Sequence, residues 1–337
     1  MSFFVGIEGG ASFSKAVLLD SDGQVLAKED SGPSTNHWMI GQKECFLRIH
    51  SLIQSLLRSA SLSTETRIKA VGLCLSGCED QNQNQKLCSD FSNQFPELFD
   101  HCLVASDTMG SLFTCFPDGG VVLIAGTGSN CLLFNADGSS AKCGGWGHLL
   151  GDYGAGISIA NSAVRSVLES EDNFRQTIDS PDSSRVRQLV VQHFGLPDDN
   201  LAAILRPAYA EFDKSFFASI SKSLAKLAAD GDQLAASLFF KAGQDLAEHL
   251  NAILPKAQAS LLKNGLSVVC VGSVFKSWSL LEPGFLSALT PELHELTLRL
   301  LTTSSAFGAA FLASRKSGHT LRMDFDRNSE LLRHIRR

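Results

Sequence analysis

The chain has 337 residues, of which 44% are hydrophobic and 19% are charged, and its net charge is −6. This length is sufficient for two domains with cores of their own. The negative charge excludes a global attraction to nucleic acid or to an anionic membrane, and no segment approaches the ~20 apolar residues of a membrane span. The composition is that of an ordinary globular protein, so neither nucleic acid nor a membrane is an expected partner.

The nine cysteines are scattered from Cys45 to Cys270. Their odd number and the large predicted core neither imply nor require disulfides. The close pair Cys74 and Cys78 lacks a second pair for zinc, so we interpret both as buried small residues at a strand end. The start, MSFFVGIEGG, has no cationic region typical of a secretion signal, and a cytoplasmic location is expected. The basic end RHIRR (333–337) is predicted to be a solvated tail.

Two stretches of the sequence share one strand pattern. Residues 3–28 and 121–143 both read as strand, Gly/Ser/Thr turn, strand, Asp-Gly turn and strand. Asp-Gly between apolar runs is a strong hairpin signal. The stretches lie too far apart for a solenoid repeat, so they predict two related domains, 1–117 and 118–337, with room for the last helix to pack back on the first domain.

Strands and helices alternate after each opening hairpin, which predicts α/β layers. Helical spacing of apolar residues predicts helices, and short apolar runs predict buried strands. The predicted helices cover 45–57, 157–168, 216–229, 233–253 and 304–314. The predicted strands lie within 69–77, 101–110 and 266–274, and the second of them ends at Ser106-Asp107.

Polar residues follow the predicted strands, where open α/β sheets bind their ligands. Glycine lets the backbone approach an anion, and N–H groups and hydroxyls then bind phosphate. One glycine-rich turn is equally a plain tight turn, whereas two such hairpins facing each other would hold a nucleotide polyphosphate from both sides. The strand ends carry Glu8-Gly9-Gly10-Ala11-Ser12, Ser76-Gly77, Asp107, Gly126-Thr127-Gly128-Ser129 and Gly272-Ser273.

Six blocks in this order resemble the BadF/BadG-type group of actin-like ATPases, and within it the N-acetylglucosamine kinases. The resemblance covers nearly the whole chain. It implies an α/β fold of two actin-like (RNase H-like) domains with a nucleotide and sugar cleft between them. The blocks are IEGGAS (7–12), STNHWMIG (34–41), SDTMGS (106–111), PDGGVVLIAGTGSNC (117–131), CGGWGHLLGDYG (143–154) and CVGSVFKSW (270–278).

The activity implied by the resemblance is ATP-dependent phosphorylation of N-acetylglucosamine to its 6-phosphate in amino-sugar salvage. ATP and Mg²⁺ are the implied cofactors, and a homodimer is the implied assembly. Asp107 is the implied general base for the sugar 6-hydroxyl, and Glu8 is implied to hold Mg²⁺ through water. The residues alone leave other roles open, since Asp107 would serve equally as a helix N-cap and Glu8 as an exposed turn carboxylate.

The resemblance also assigns residues to the phosphates, the adenosine and the sugar. The residues alone allow a structural role for each of these positions. Asn36 could simply form a loop, and His37 could be a loop histidine with its hydrogen bonds satisfied. Trp146 could be a core residue in a kinked loop, and Gly272-Ser273 a plain turn. The implied phosphate ligands are Gly10, Ser12, Thr127 and Gly128, with Gly272 and Ser273 facing the adenosine. The implied sugar ligands are Asn36, His37, Asp107, Ser129, Asn130, Gly145, Trp146 and Asp152.

Two residues depart from the pattern of the group. Ala11 stands where relatives have glycine, and its Cβ would be strained if the turn needs a positive φ there. Tyr153 stands where relatives have Glu. These departures keep a second hypothesis open, a non-catalytic sensor of amino sugar or nucleotide. A kinase of N-acetylmannosamine, of a muramyl glycan or of another hexose is the alternative within the enzyme class. An iron–sulfur activator would need cysteines gathered at one interface, and these are dispersed.

Overall fold

The computed structural model describes residues 2–174, 181–263 and 265–337. Its strands form one sheet of five strands and one of six. The first sheet contains β1 (Phe3–Gly9), β2 (Phe13–Asp20), β3 (Val25–Pro33), β4 (Ile68–Leu75) and β5 (Phe99–Ser106). The second contains β6 (Gly120–Ala125), β7 (Ser129–Phe134), β8 (Ser140–Gly144), β9 (Leu266–Val271), β10 (Glu295–Leu301) and β11 (Ser329–Arg336).

Helices alternate with these strands along the chain. The first four are α1 (His37–Ile40), α2 (Gln42–Ser59), α3 (Gln81–Gln94) and α4 (Asp107–Cys115). They are followed by α5 (Gly156–Glu171), α6 (Ser184–Phe194), α7 (Lys214–Ser219), α8 (Ser221–Ala229) and α9 (Gln233–Ile253). The last are α10 (Ala259–Lys263), α11 (Trp278–Ala288), α12 (Ala306–Lys316) and α13 (Phe325–Asn328), with shorter helical turns at Leu201–Ile204, Arg206–Ala210, Leu254–Lys256 and Ser273–Ser277.

The chain divides into two compact units. The first runs from the N-terminus to Val122 and includes Ser267–Val269 and Thr297–Arg333. The second comprises Leu123–Leu266, Cys270–Leu296 and His334–Arg337. The domain border predicted from the sequence, between residues 117 and 118, stays a prediction, as does the cleft between the domains.

The first sheet has the order β3-β2-β1-β4-β5. Its β1 pairs antiparallel with β2 and parallel with β4, which pairs parallel with β5. The carboxyl ends of the three parallel strands therefore share one edge, where the amide of Ser76 donates to the carbonyl of Gly9 at 2.9 Å. This edge is where the sequence predicted a ligand to bind.

The two faces of the first sheet bury different helices. Period-two alternation turns Val5 and Ile7 of β1 toward a core that includes Ile49 and Ile53 of α2. Phe4 points the other way, into the cluster that contains residues of α12. The helices predicted over 45–57 and 304–314 are confirmed, although each is displaced or extended at its ends.

Close packing of α12 on the sheet depends on two glycines. Gly6 of β1 and Gly72 of β4 are directly paired across the strands. A Cβ added to Gly72 would lie 1.9 Å from the carbonyl oxygen of Ala309, and one added to Gly6 would lie 1.9 Å from that of Ala306. Because both contacts are to backbone atoms, no side-chain movement relieves them, and only glycine fits beneath this helix.

The second sheet has the order β11-β10-β9-β6-β7-β8. The hairpin of β7 and β8 is closed around Asp137-Gly138, where the Gly138 amide donates to the carbonyl of Asn135 at 3.1 Å. Thus β1-β2-β3 and β6-β7-β8 follow the same strand, turn, strand, turn, strand order, as predicted. Each glycine–hydroxyl turn joins the first two strands of its set.

Two sequence interpretations are wrong in detail. The helix predicted over 216–229 is two helices, and the first begins earlier because Asp213 accepts the amides of Ser215 and Phe216 as an N-cap. The basic end is not a solvated tail, since β11 extends to Arg336 at an edge of the second sheet. A strand of this kind pairs its backbone while its charged side chains remain in water.

The cysteines and the helix lengths are consistent with the composition. All nine cysteines are free thiols, and Cys74 and Cys78 are buried as interpreted. Over the described ranges, none of the helices combines the length and apolarity needed to cross a membrane.

We expect replacement of Gly72 by Val to lower the free energy of unfolding by about 3 kcal/mol, because the branched side chain overpacks the contact with α12. Chemical denaturation followed by circular dichroism would measure the change. Gly126→Ala is the matched control, since a Cβ at Gly126 meets no atom within 4 Å. Equal stability of Gly72→Val and wild type would contradict the packing argument.

Candidate active site

The acidic part of the site lies in the first unit, at the shared edge of the parallel strands. Glu8 is near the end of β1, and Asp107 directly follows β5 as the first residue of α4. Ser106 is the N-cap of that helix, since its Oγ accepts the amide of Met109 at 3.2 Å. The interpretation of Asp107 as the N-cap is therefore wrong, and its carboxylate is not required to hold the helix.

The carboxyl of Asp107 has a pKa raised above its ordinary value. Burial is the largest cause, and the negative charges of Glu8 and Glu79 add to it. The amide of Thr108 and the hydroxyl of Ser76 hydrogen-bond to the carboxylate and oppose the rise. A carboxylate with a raised pKa is a stronger proton acceptor, which suits a general base.

Glu8 is held by the segment that leads into α12. Its Oε2 accepts the hydroxyl of Ser304 at 2.6 Å and the amide of Ser305 at 3.0 Å. Sequence reasoning missed this contact, because residues 8 and 304 lie almost the whole chain apart. The contact fixes Glu8 in orientation, so it is more than the exposed turn carboxylate that the residues alone allowed.

The donor set fits a water-mediated Mg²⁺. Among the described residues, no group of three or more His, Cys, Asp or Glu is placed to enclose a metal ion. Mg²⁺ retains several of its waters and takes few protein carboxylates, with phosphate oxygens as further ligands. The paired negative charge of Glu8 and Asp107 suits such a cation, and the metal role of Glu8 stays a prediction.

The first glycine turn is open to solvent at Ala11 and Ser12. The amide of Gly10 donates to the carbonyl of Phe13 at 3.2 Å and closes the turn. Ala11 does not have a positive φ, since the described non-glycine residues in that region are Ser61, Asp152 and Asn173. The Cβ of Ala11 is therefore accommodated without backbone strain, and this departure from the relatives does not distort the turn.

The segment that carries Asn36 and His37 is fastened to the first hairpin. Ser34 donates to the carbonyl of Gly10 at 3.0 Å. The Oδ1 of Asn36 accepts the amide of Trp38 at 3.0 Å and caps α1, so Asn36 does act as a loop-former. Burial lowers the pKa of His37, which favours its neutral form, and its buried Nδ1 has no hydrogen-bond partner. Sugar contacts of both residues stay predictions.

Trp38 was not singled out from the sequence. Its indole Nε1 donates to the carbonyl of Gly77 at 3.3 Å, although the side chain is 65% exposed. Gly77 has φ of +85°, and a Cβ there would lie 2.8 Å from the indole. An exposed aromatic ring held against the strand-end loop offers a flat apolar surface to a ligand.

The second glycine turn joins β6 to β7 in the second unit and contacts the start of α5. The amide of Gly126 donates to the carbonyl of Gly128 at 2.9 Å and closes the turn. The amides of Gly156 and Ile157 donate to the carbonyls of Gly126 and Thr127 at 2.8 and 3.2 Å. The side chain of Thr127 is exposed, so its hydroxyl is accessible to an incoming phosphate.

The buried side chain of Asp152 stabilises this turn by a hydrogen bond to its backbone. It is 3% exposed and has φ of +59°. Its Oδ1 accepts the amide of Ser129 at 3.0 Å, and its Oδ2 lies 2.8 Å from Nζ of Lys214. A Cβ on Gly128 would lie 2.8 Å from the same carboxylate. The structure thus brings Asp152, Ser129 and Gly128 together and adds Lys214, which sequence reasoning missed.

The hydroxyl of Ser129 is also engaged within the protein. It donates to the carbonyl of Tyr153 at 2.7 Å, which joins the start of β7 to the residue after Asp152. The polar groups of Ser129 and Asp152 therefore stabilise the turn. Their predicted sugar contacts stay predictions.

The glycine-rich loop 144–147 borders an open cavity of about 730 Å³. Positive φ values at Gly144, Gly145 and Gly147 expose Trp146 by 70%, so the interpretation of Trp146 as a core residue is wrong. Nζ of Lys142 lies 5.7 Å from the ring centroid. Aromatic and charged side chains border the cavity together with aliphatic and neutral polar ones, and they include Trp146, Tyr153, Arg165, Lys241, Glu248 and His249.

Asn130 is paired with Gly144 across the β7–β8 hairpin, and Gly145 follows directly. A Cβ on Gly145 would lie 3.0 Å from the amide group of Asn130, and its φ of +74° favours glycine. The Oδ1 of Asn130 accepts the amide of Cys131 at 3.0 Å. The structure therefore brings these two predicted sugar ligands together.

Gly272 and Ser273 follow β9, as the sequence predicted. Gly272 has φ of +117°, and a Cβ there would lie 2.3 Å from the carbonyl oxygen of Ala125. Ser273 borders a cavity of about 580 Å³ that is lined also by Lys222, Lys226 and Lys276. Three lysines around one cavity favour an anionic ligand such as a nucleotide.

We expect Lys214→Met to lower the free energy of unfolding by about 2 kcal/mol, because it leaves the buried charge of Asp152 without its cation. Lys214→Arg should retain most of the stability. Lys69→Met is the matched control, since its partner Asp100 is 35% exposed and keeps its pair with Arg67. Thermal unfolding of the three variants measures this, and equal effects at positions 214 and 69 would refute the role of Lys214.

Comparison with known proteins identifies relatives of this chain. It is similar to an N-acetyl-D-glucosamine kinase of Dictyostelium discoideum, with 28% identity over 75% of this chain and 79% of that one. It is similar to an N-acetylmuramic acid/N-acetylglucosamine kinase of Clostridium acetobutylicum, with 24% identity over 93% of this chain and 98% of that one.

A solved structure shares the fold. A proposed N-acetylglucosamine kinase of Chromobacterium violaceum matches with a TM-score of 0.63 and 24% identity, covering 93% of this chain and 99% of the other. The model of the BadF/BadG/BcrA/BcrD ATPase family matches residues 5–313, most of the sequence. The chain therefore belongs to the BadF/BadG/BcrA/BcrD ATPase family.

Proposed function

We propose that the protein is an ATP-dependent kinase that phosphorylates the 6-hydroxyl of N-acetylglucosamine. The observation that carries the proposal is the half-buried carboxylate of Asp107, whose pKa is raised at the edge where β1, β4 and β5 end. Membership of an ATPase family and similarity to amino-sugar kinases support ATP and an amino sugar as the substrates.

The reaction requires one proton acceptor and one phosphate cradle. The sugar 6-oxygen attacks the γ-phosphorus of ATP, and the bond from that phosphorus to the β-phosphate oxygen breaks, which releases ADP. Asp107 orients the hydroxyl and receives its proton, while positioning and charge stabilisation supply most of the rate. Mg²⁺, held through water by Glu8, would neutralise phosphate charge when bound.

The second unit supplies groups for the nucleotide. The exposed hydroxyl of Thr127 and the close backbone approach at Gly128 suit phosphate oxygens. Gly10 and Ser12 offer the same chemistry from the first unit. The lysine-lined cavity beside Ser273 suits the anionic nucleotide at the predicted adenosine position.

The acetamido preference rests on similarity to the two kinases. Asn36, Asn130, Gly145 and Trp146 are the residues that we propose for the sugar, since amides pair with hydroxyls and an exposed indole packs on a pyranose face. N-acetylmannosamine, a muramyl sugar or another hexose are alternative substrates of the same chemistry. A cytoplasmic homodimer is part of the proposal.

The test of the proposal is ADP release from Mg-ATP with N-acetylglucosamine, N-acetylmannosamine, glucose or no sugar. We expect release chiefly with the N-acetyl hexosamines. Asp107→Ala should lower kcat about 1000-fold because the general base is lost. Asp198→Asn, at an exposed position, is the control and should keep kcat. No turnover by wild type that still binds the sugar would overturn the kinase and leave a sensor.

The pH profile tests the electrostatics of Asp107. The base is active only when deprotonated, so kcat/KM falls as the pH drops through its pKa in the free enzyme. The charge of Glu79 raises that pKa. Glu79→Gln should therefore move the acid limb of the profile to lower pH, with little change in the plateau.

The matched control for this profile is Glu65→Gln. Glu65 is exposed and is not one of the charges that act on Asp107. Its replacement should leave the acid limb in place. An acid limb that is unmoved by Glu79→Gln would show that another group governs it.

A further inference from the structure

Two cysteines outside the candidate active site lie against each other in the first unit. Cys88 is on α3 and Cys102 is on β5. The thiol of Cys88 donates to the carbonyl oxygen of Cys102 at 3.0 Å, and the Cys102 thiol is close enough to act on the pKa of Cys88. Cys88 is half-buried at the surface, whereas Cys102 is 4% exposed. One thiol is therefore accessible to a small reagent, and the other stands behind it.

The surroundings make Cys88 the reactive member of the pair. The hydrogen bond from the Cys102 thiol, the positive charge of Lys316 and a hydrogen bond with Ser92 lower the pKa of Cys88 to about 7 against the effect of burial. The same contact and burial raise the pKa of Cys102. The thiolate is the nucleophilic form of cysteine, so Cys88 has a substantial thiolate fraction at neutral pH, whereas the raised pKa of Cys102 keeps that thiol protonated.

Other cysteines of this chain lack that chemistry. Burial raises the pKa of Cys45, Cys78 and Cys115 to about 12 in each case. A buried thiol of this kind has almost no thiolate at neutral pH and reacts slowly. Cys131 and Cys143 are also paired, across β7 and β8, but burial raises the pKa of both thiols. The Cys88–Cys102 pair is therefore distinguished by the lowered pKa of one of its two thiols.

We propose that Cys88 and Cys102 form a peroxide-reactive dithiol that closes to an intramolecular disulfide. The Cys88 thiolate attacks one oxygen of a hydroperoxide and becomes a sulfenic acid, while the O–O bond breaks and the other oxygen leaves as water or an alcohol after taking a proton. The Cys102 sulfur then attacks the sulfenic sulfur, the S–S bond forms and a second water leaves. The two thiols lose two electrons, which reduce the peroxide.

The position of the pair gives such a bond a structural consequence. It would join α3, which begins just after Glu79, to β5, which leads directly into Asp107. The site is independent of the proposed kinase reaction, since neither thiol belongs to the residues assigned to ATP or sugar. Its test therefore stands whatever the catalytic activity proves to be.

The experiment is peroxide oxidation of the reduced full-length protein, followed by alkylation of the remaining thiols and peptide mapping. We expect the first oxidised product to lack two alkylation sites and to contain one cross-linked species that joins Cys88 to Cys102, reversed by dithiothreitol. Before oxidation, Cys88 should be alkylated at neutral pH about 100-fold faster than Cys115. Preferential oxidation of other cysteines in the wild type would overturn the proposal without need of a variant.

Single replacements separate the two roles. Cys102→Ser should leave Cys88 reactive but stop it at a sulfenic acid that dimedone traps. Cys88→Ser should abolish the fast oxidation. Cys115→Ser is the control and should form the disulfide as wild type does. A dimedone adduct on Cys88 in wild type with no cross-link at any peroxide concentration would refute the resolving role of Cys102.

Discussion

The half-buried carboxylate of Asp107, with the charge of Glu8 acting on it, is the interaction on which the proposed chemistry of the first unit depends. Parallel pairing of β1, β4 and β5 places both residues at one edge, and burial then makes ionisation of Asp107 unfavourable. Other contacts hold the surrounding structure, so the Asp107 carboxylate is not needed for that purpose. Ser106 caps α4 in place of Asp107, and the segment before α12 holds Glu8 through Ser304.

In the second unit, by contrast, the charge of a buried carboxylate is compensated by its partners. Asp152 is almost fully buried, but it accepts the amide of Ser129 and pairs with Lys214, so its charge is compensated inside the protein. Such a group stabilises the glycine turn in one geometry, which a phosphate cradle needs before its ligand arrives. The two units therefore place acidic residues differently: Asp107 keeps a raised pKa, which suits the proton transfer proposed for it, whereas Asp152 is held in a fixed contact with Ser129 and Lys214.

The cysteines show how local surroundings divide one residue type into two chemistries. Cys115 is a buried apolar group with a raised pKa, whereas Cys88 has a cation, a hydroxyl and a second thiol around it. Neither composition nor spacing distinguishes them, because Cys88 and Cys102 come together only when α3 packs on β5. The interpretation of Cys74 and Cys78 as buried residues is confirmed, and the reactivity proposed for Cys88 and Cys102 depends on contacts that the sequence did not predict.

The sequence by itself determined the local order of the fold and the positions of its glycine turns. Apolar periodicity predicted α9 to the residue, and two Asp-Gly pairs predicted both hairpins, because these signals act between near neighbours in the chain. Only the tertiary structure decided that Ser304 holds Glu8 and that Lys214 pairs with Asp152. Those contacts, like the burial that raises the pKa of Asp107, join distant segments, and no local pattern encodes which distant group will arrive.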